Sequence, residues 1–170
     1  MMPRGVCEMK SFKIVVLVSL FSIITAQVCQ ADQITDAVKA LQKAYPKFNW
    51  QKDSAVVVDI NADGINDVAV LGYTDDKAAV GVVSGKPSKS FNAKILDFNR
   101  GRDTQRDMCG KTAKLIVEKT SETPKEALEE FPEGYRICDK CIEISVEDGL
   151  CDPMTIYWNY KTNELGWWRA

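Results

Sequence analysis

The chain has 170 residues, with 22 Lys and Arg against 24 Asp and Glu, a formal charge of −2, and no histidine. A near-balanced charge with no basic cluster leaves no electrostatic footprint for nucleic acid or an anionic membrane surface. The lack of histidine removes Ser–His and Cys–His nucleophile pairs and the commonest zinc ligand.

Residues 1–31 read as a secretory signal peptide. Arg4, Lys10 and Lys13 precede an apolar run from Ile14 to Ala26, too short to span a bilayer but suited to a signal core. Cleavage after Ala31 puts Cys29 and Ala31 at the two positions that need small side chains, whereas cleavage after Ala26 would put Ile24 at one of them. Val28, directly before Cys29, is a poor neighbour for a lipid-modified cysteine. No later run is apolar enough for a membrane helix. Residues 32–170 are therefore expected to form one exported domain, periplasmic or secreted, with no integral membrane segment.

Along that domain, Ile34, Val38, Leu41 and Tyr45 recur at helical spacing, and Pro46 ends a helix predicted over 32–46. The period then changes. Runs at 55–60, 67–73, 78–85, 91–98, 113–119, 141–147, 155–160 and 164–170 read as strands, with turns at 74–77 and 161–163. Residues 99–110 have no apolar period and read as a loop. Residues 120–135 are acidic and contain Pro124 and Pro132, with one or two helical turns at EALEEF. The expected fold is mainly β (α+β), an antiparallel sheet of about seven or eight strands with an N-terminal helix. Cys109, Cys138, Cys141 and Cys151 read as two disulfides stapling its C-terminal half. Three pairings are open.

The segment Asp59-Ile60-Asn61-Ala62-Asp63-Gly64-Ile65-Asn66-Asp67 carries the most chemistry. Side-chain oxygens stand at positions 1, 3, 5 and 9, Gly64 permits a sharp turn at position 6, and Ile65 can offer its carbonyl at position 7. A short loop cages a hard cation in this way, with many oxygens turned inward at about 2.3–2.6 Å. An EF-hand would need a bidentate carboxylate at position 12 and a following helix, but Val70 stands there and a strand follows. The pattern resembles the calcium loops of FG-GAP repeats, known from integrin-head propellers. In those repeats D-x-[DN]-x-D-G-x-x-D lies between two strands, as it does here between AVVVDI and DVAVLG. The resemblance covers residues 55–73, or 55–85 with the following hairpin. It implies calcium as the ion, Asp59, Asn61, Asp63 and Asp67 as side-chain ligands, and Ile65 as a carbonyl ligand. With a single copy in a chain this short, it implies a local loop and not a closed propeller. A plain Asx-rich turn is the alternative use of the same residues.

Other candidates have ordinary readings beside the functional ones. Cys138-Asp139-Lys140-Cys141 has the spacing of a redox pair, but it precedes a strand pattern rather than opening a helix. A zinc site of four thiolates is disfavoured in an oxidising compartment. Glu129-Glu130 and Glu147-Asp148 are adjacent carboxylates of the kind that face solvent. Tyr157, Trp158, Tyr160, Trp167 and Trp168 crowd the last hairpin, either as cross-strand packing or as a platform for a sugar ring or peptide. The expected function is a non-enzymatic exported calcium-binding module whose ion is mainly structural. Its rivals are an inhibitor or protein-binding factor on a disulfide-stapled scaffold and, third, a carboxylate-dependent hydrolase. The partner is an unidentified protein or small ligand.

Overall fold

A computed structural model describes residues 18–85 and 92–170, with side chains from Gln30 onward. The basic opening of the expected leader therefore lies outside the described residues. From Val18 the chain is helical, and this helix, α1 (Val18–Ala44), runs through Ala31 and Asp32 without a break. No described helix is long and apolar enough to cross a membrane.

After α1 come β1 (Asn49–Trp50), β2 (Val56–Val58), β3 (Asp67–Tyr73), β4 (Lys77–Val83), β5 (Ala93–Arg100) and β6 (Asp107–Met108). They form one sheet in the order β1-β3-β4-β5-β6, with β2 also paired to β3. Every pairing in it is antiparallel except β5–β6, where Asn99 faces Asp107 and Arg100 faces Met108 in parallel. A second sheet holds β7 (Lys114–Lys119), β8 (Ile142–Glu147), β9 (Met154–Asn159) and β10 (Glu164–Trp168), all antiparallel in the order β10-β9-β8-β7. A short helix, α2 (Thr123–Leu128), begins with Pro124 in its first turn, where a missing N–H costs nothing.

The expected single sheet is thus two stacked sheets, neither closed into a barrel. The reason lies in β3 and β4. Ala69, Leu71, Ala78, Val80 and Val82 face inward and meet Ile144, Val146, Met154, Ile156 and Trp158 of the second sheet. The alternate residues Val68, Val70, Ala79 and Val83 face the other way and meet Ala37, Ala40 and Leu41 of α1, with Phe48 and Trp50. Strands buried on both faces read as continuous apolar runs, and here they make the middle of three layers. Two glycines admit the helix layer. A Cβ on Gly81 would stand 2.5 Å from Leu41 Cδ2 and 2.8 Å from the Trp50 ring, and one on Gly72 would stand 2.6 Å from Trp50.

The cysteines pair as Cys109–Cys151 and Cys138–Cys141. The first joins the end of β6 to the β8–β9 connection, and so links the two sheets. The second closes a tight turn before β8, where the Cys141 N–H donates to the Cys138 carbonyl at 3.1 Å.

Candidate functional site

Val58 faces Asp67 across the β2–β3 pair, so residues 59–66 form the closed connection between these strands. Ile60 points into the sandwich core and anchors the loop from below. Ala62 and Gly64 both take left-handed backbone, with φ of 57° and 84°. This tightens the loop in two places. Glycine pays no steric penalty there, while alanine does.

The oxygens expected to meet a cation are turned onto backbone N–H groups. Asp59 Oδ1 accepts from the Asp63 N–H at 3.0 Å and Oδ2 from the Gly64 N–H at 2.8 Å. Asn61 Oδ1 accepts from the Asp63 N–H at 2.9 Å, and Asp63 Oδ1 from the Ile65 N–H at 2.8 Å. Asn61 Nδ2 donates to Asp63 Oδ2 at 3.4 Å. Asp59, Asn61 and Asp63 are thereby held around one turn. Among the described residues, no group of three or more Cys, Asp or Glu side chains is gathered closely enough to hold a metal ion.

Asp67 stands apart from the other three. It is 1% exposed, and its carboxyl accepts the Ile60 N–H at 3.2 Å and the Gly85 N–H at 3.1 Å. It staples the loop to its own strand and to the end of β4. Burial pushes its pKa up to about 6, and the charges of Asp63 and Asp59 push the same way against the two N–H donors. The Ile65 N–H is spoken for, while its carbonyl accepts no hydrogen bond among the described residues.

The other candidates fall into place individually. Cys138 is exposed and Cys141 buried, but their turn opens a strand, so no helix dipole bears on either sulfur. Glu147 is exposed, whereas Asp148 turns inward and accepts four backbone N–H bonds. Those of Cys109 (2.7 Å) and Gly110 (2.9 Å) reach Oδ2, and those of Leu150 (2.8 Å) and Cys151 (3.0 Å) reach Oδ1. Burial works to raise the Asp148 pKa, but the four donors outweigh it and hold the group below its ordinary value. Of the terminal aromatics, Trp158 lies in the core, and Trp167 packs edge-on against Phe98 at 6.2 Å. Tyr157 and Trp168 face the opposite side of the second sheet. There Tyr157 meets Tyr135 edge-on at 5.2 Å and donates its hydroxyl to the Glu133 carbonyl at 3.1 Å.

That outer side holds residues the sequence reading passed over. Glu143, Ser145 and Thr155 are buried there, although alternation in CIEISVE marks the first two as a solvent face. Alternation alone does not distinguish Glu143, because what covers it is the Tyr135 hydroxyl, which reaches its carboxyl at 2.8 Å from the loop before the strand. Comparison with family models, curated proteins and solved structures finds no match for this chain.

Proposed function

We propose that the protein is an exported calcium-binding module, periplasmic or secreted and non-enzymatic, in which the ion fixes the β2–β3 connection. The observation that carries this reading is the tight turn that holds Asp59, Asn61 and Asp63 around Ala62 and Gly64. An oxygen that accepts one N–H keeps a second lone pair, so these side chains remain able to meet a cation. The Ile65 carbonyl adds a fourth oxygen. Asp67 fits less well as a ligand than its spacing implies, since Ile60 and Gly85 already engage it. When bound, calcium would neutralise carboxylates that otherwise repel one another. The two disulfides favour an oxidising compartment for the same reason that small exported domains carry them.

A ligand that binds only the folded state raises stability by about 2.7 kcal/mol at a hundredfold excess over Kd. Extracellular calcium modules have Kd values of about 10⁻⁴–10⁻³ M, so millimolar calcium suffices for the test. Calcium is expected to raise the melting temperature, EDTA to reverse the rise, and Asp63→Ala to abolish it. Magnesium, which demands a tighter octahedral cage, is expected to substitute poorly. Identical melting curves in calcium and EDTA, together with a flat calorimetric titration, would reduce the loop to a turn.

A further inference from the structure

The bridge between Cys138 and Cys141 presents its two ends to different surroundings. Cys138 lies in a stretch, residues 136–140, that is exposed throughout. Cys141 is 1% exposed. Its carbonyl accepts the Thr120 N–H at 3.2 Å and the Thr120 hydroxyl at 3.4 Å, which pins it to the chain just past β7. Its sulfur meets the Tyr160 hydroxyl, which donates to Cys141 Sγ at 3.5 Å. The Arg136 guanidinium lies over the Tyr160 ring, 5.0 Å from its centre. A disulfide exchanges when a thiolate reaches one sulfur and the other leaves with the electron pair, so access and the fate of the leaving charge decide which end reacts. In the bridged state neither requirement calls for a helix dipole at Cys138.

We infer that Cys138 is a site of reversible modification by small monothiols of the glutathione kind, with Cys141 as the thiol that reverses it. An outside thiolate attacks Cys138 Sγ at the exposed end of the bridge. A bond forms between the outside sulfur and Cys138, the Cys138–Cys141 bond breaks, and its electron pair stays on Cys141 Sγ. The thiolate so formed accepts a hydrogen bond more strongly than the bridged sulfur did, and the Tyr160 hydroxyl is already in place to donate one. Return attack by Cys141 on Cys138 expels the outside thiolate and restores the bridge. Where a second outside thiolate attacks the outside sulfur first, the outside thiols leave as their symmetric disulfide, and the bridge gains the two electrons they lost. The exchange is stoichiometric, so it adds no turnover to the non-enzymatic reading, and it does not depend on calcium. Because this bridge ties only a turn, the sheets stay linked through Cys109–Cys151 while Cys138 is modified.

The test exposes the intact oxidised protein to millimolar reduced glutathione, quenches samples with N-ethylmaleimide, and maps the products by mass spectrometry. The first product is expected to carry one glutathione on Cys138 and one maleimide on Cys141. It should form at least about tenfold faster than Cys109–Cys151 opens, since both residues of that bridge are half-buried. Tyr160→Phe keeps the ring and is expected to slow the opening about tenfold, the equivalent of one lost hydrogen bond. Its melting curve and its Cys109–Cys151 rate should stay at wild type, which a general loosening of the fold would not allow. The single variants Cys141→Ala and Cys138→Ala give a readout independent of Tyr160. The lone Cys138 thiol should alkylate at least about tenfold faster than the lone Cys141 thiol. Glutathione found on Cys141, opening no faster than that of Cys109–Cys151, a wild-type rate in Tyr160→Phe, or equal alkylation of the two lone thiols would each overturn the inference.

Discussion

Asp148 does more for the fold than its place in an acidic pair suggests. Its two oxygens hold the backbone on both sides of the Cys109–Cys151 bridge, so one side chain fixes the entry and the exit of the connection between the sheets. Asparagine at this position keeps one accepting oxygen and leaves two N–H groups facing an amide NH₂. Asp148→Asn is therefore expected to lower stability by about 1–3 kcal/mol, read from denaturant melts. The pH dependence follows from the direction of the shift. A carboxyl whose folded pKa lies below its unfolded value of about 3.9 stabilises fully above that value and loses the contribution as pH falls through the folded pKa. Wild type should lose part of its stability below about pH 4, and the asparagine variant should lose less there. Parallel pH–stability curves for the two proteins would rule this out.

At the scale of elements, the layer made by α1 depends on space left in the sheet beneath it. Gly81→Ala puts a methyl group where Leu41 Cδ2 and Trp50 already stand, so the helix must lift or the ring must turn. The expected loss is about 1–3 kcal/mol, with the near-ultraviolet signal of Trp50 changed as well. An unaltered melt and spectrum would mean that the helix yields freely. This layer also shows what was legible beforehand. The helix face of Ile34, Val38 and Leu41 is where the spacing put it, and β3, β4, β7, β8, β9 and β10 lie within a residue or two of their predicted runs. The two-residue strands β1 and β6 were not legible, because so short a segment has no period and owes its pairing to neighbours distant in sequence. The run 55–60 gives only the short β2, because Asp59 begins to turn the chain and Ile60 is drawn into the core. Nor could spacing reveal that Asp67 would be consumed by Ile60 and Gly85, since the latter lies at the far end of the next strand.

For the whole molecule the two disulfides are unequal. Cys109 and Cys151 are 42 residues apart and tie one sheet to the other, while Cys138 and Cys141 are 3 apart and tie a turn to itself. Chain-entropy reasoning gives about 4 kcal/mol for the longer loop and about 2 kcal/mol for the shorter. Cys109→Ala with Cys151→Ala is therefore expected to destabilise the protein clearly more than Cys138→Ala with Cys141→Ala, measured as the shift in denaturant midpoint. The reverse order would show that the turn, and not the link between sheets, limits stability.

Strand β7 has a consequence for how the protein behaves in concentrated solution. Among the described residues it pairs only with β8, so its other side presents unmet backbone groups, and Ile116 and Val117 are exposed on it. Such an edge is a template on which another molecule's strand can add, and chains that add repeatedly grow into fibres. Lys114, Glu118 and Lys119 break the run, because an ammonium or carboxylate loses its water if a second strand closes over it. Replacing all three with threonine keeps strand propensity and removes the charges. The altered protein is expected to melt close to wild type yet to scatter light and bind thioflavin far sooner on agitation, whereas equal lag times would mean that the edge is guarded by something other than its charges. Three surface charges that pack against nothing in the core thus stand as the guard on the open edge of β7.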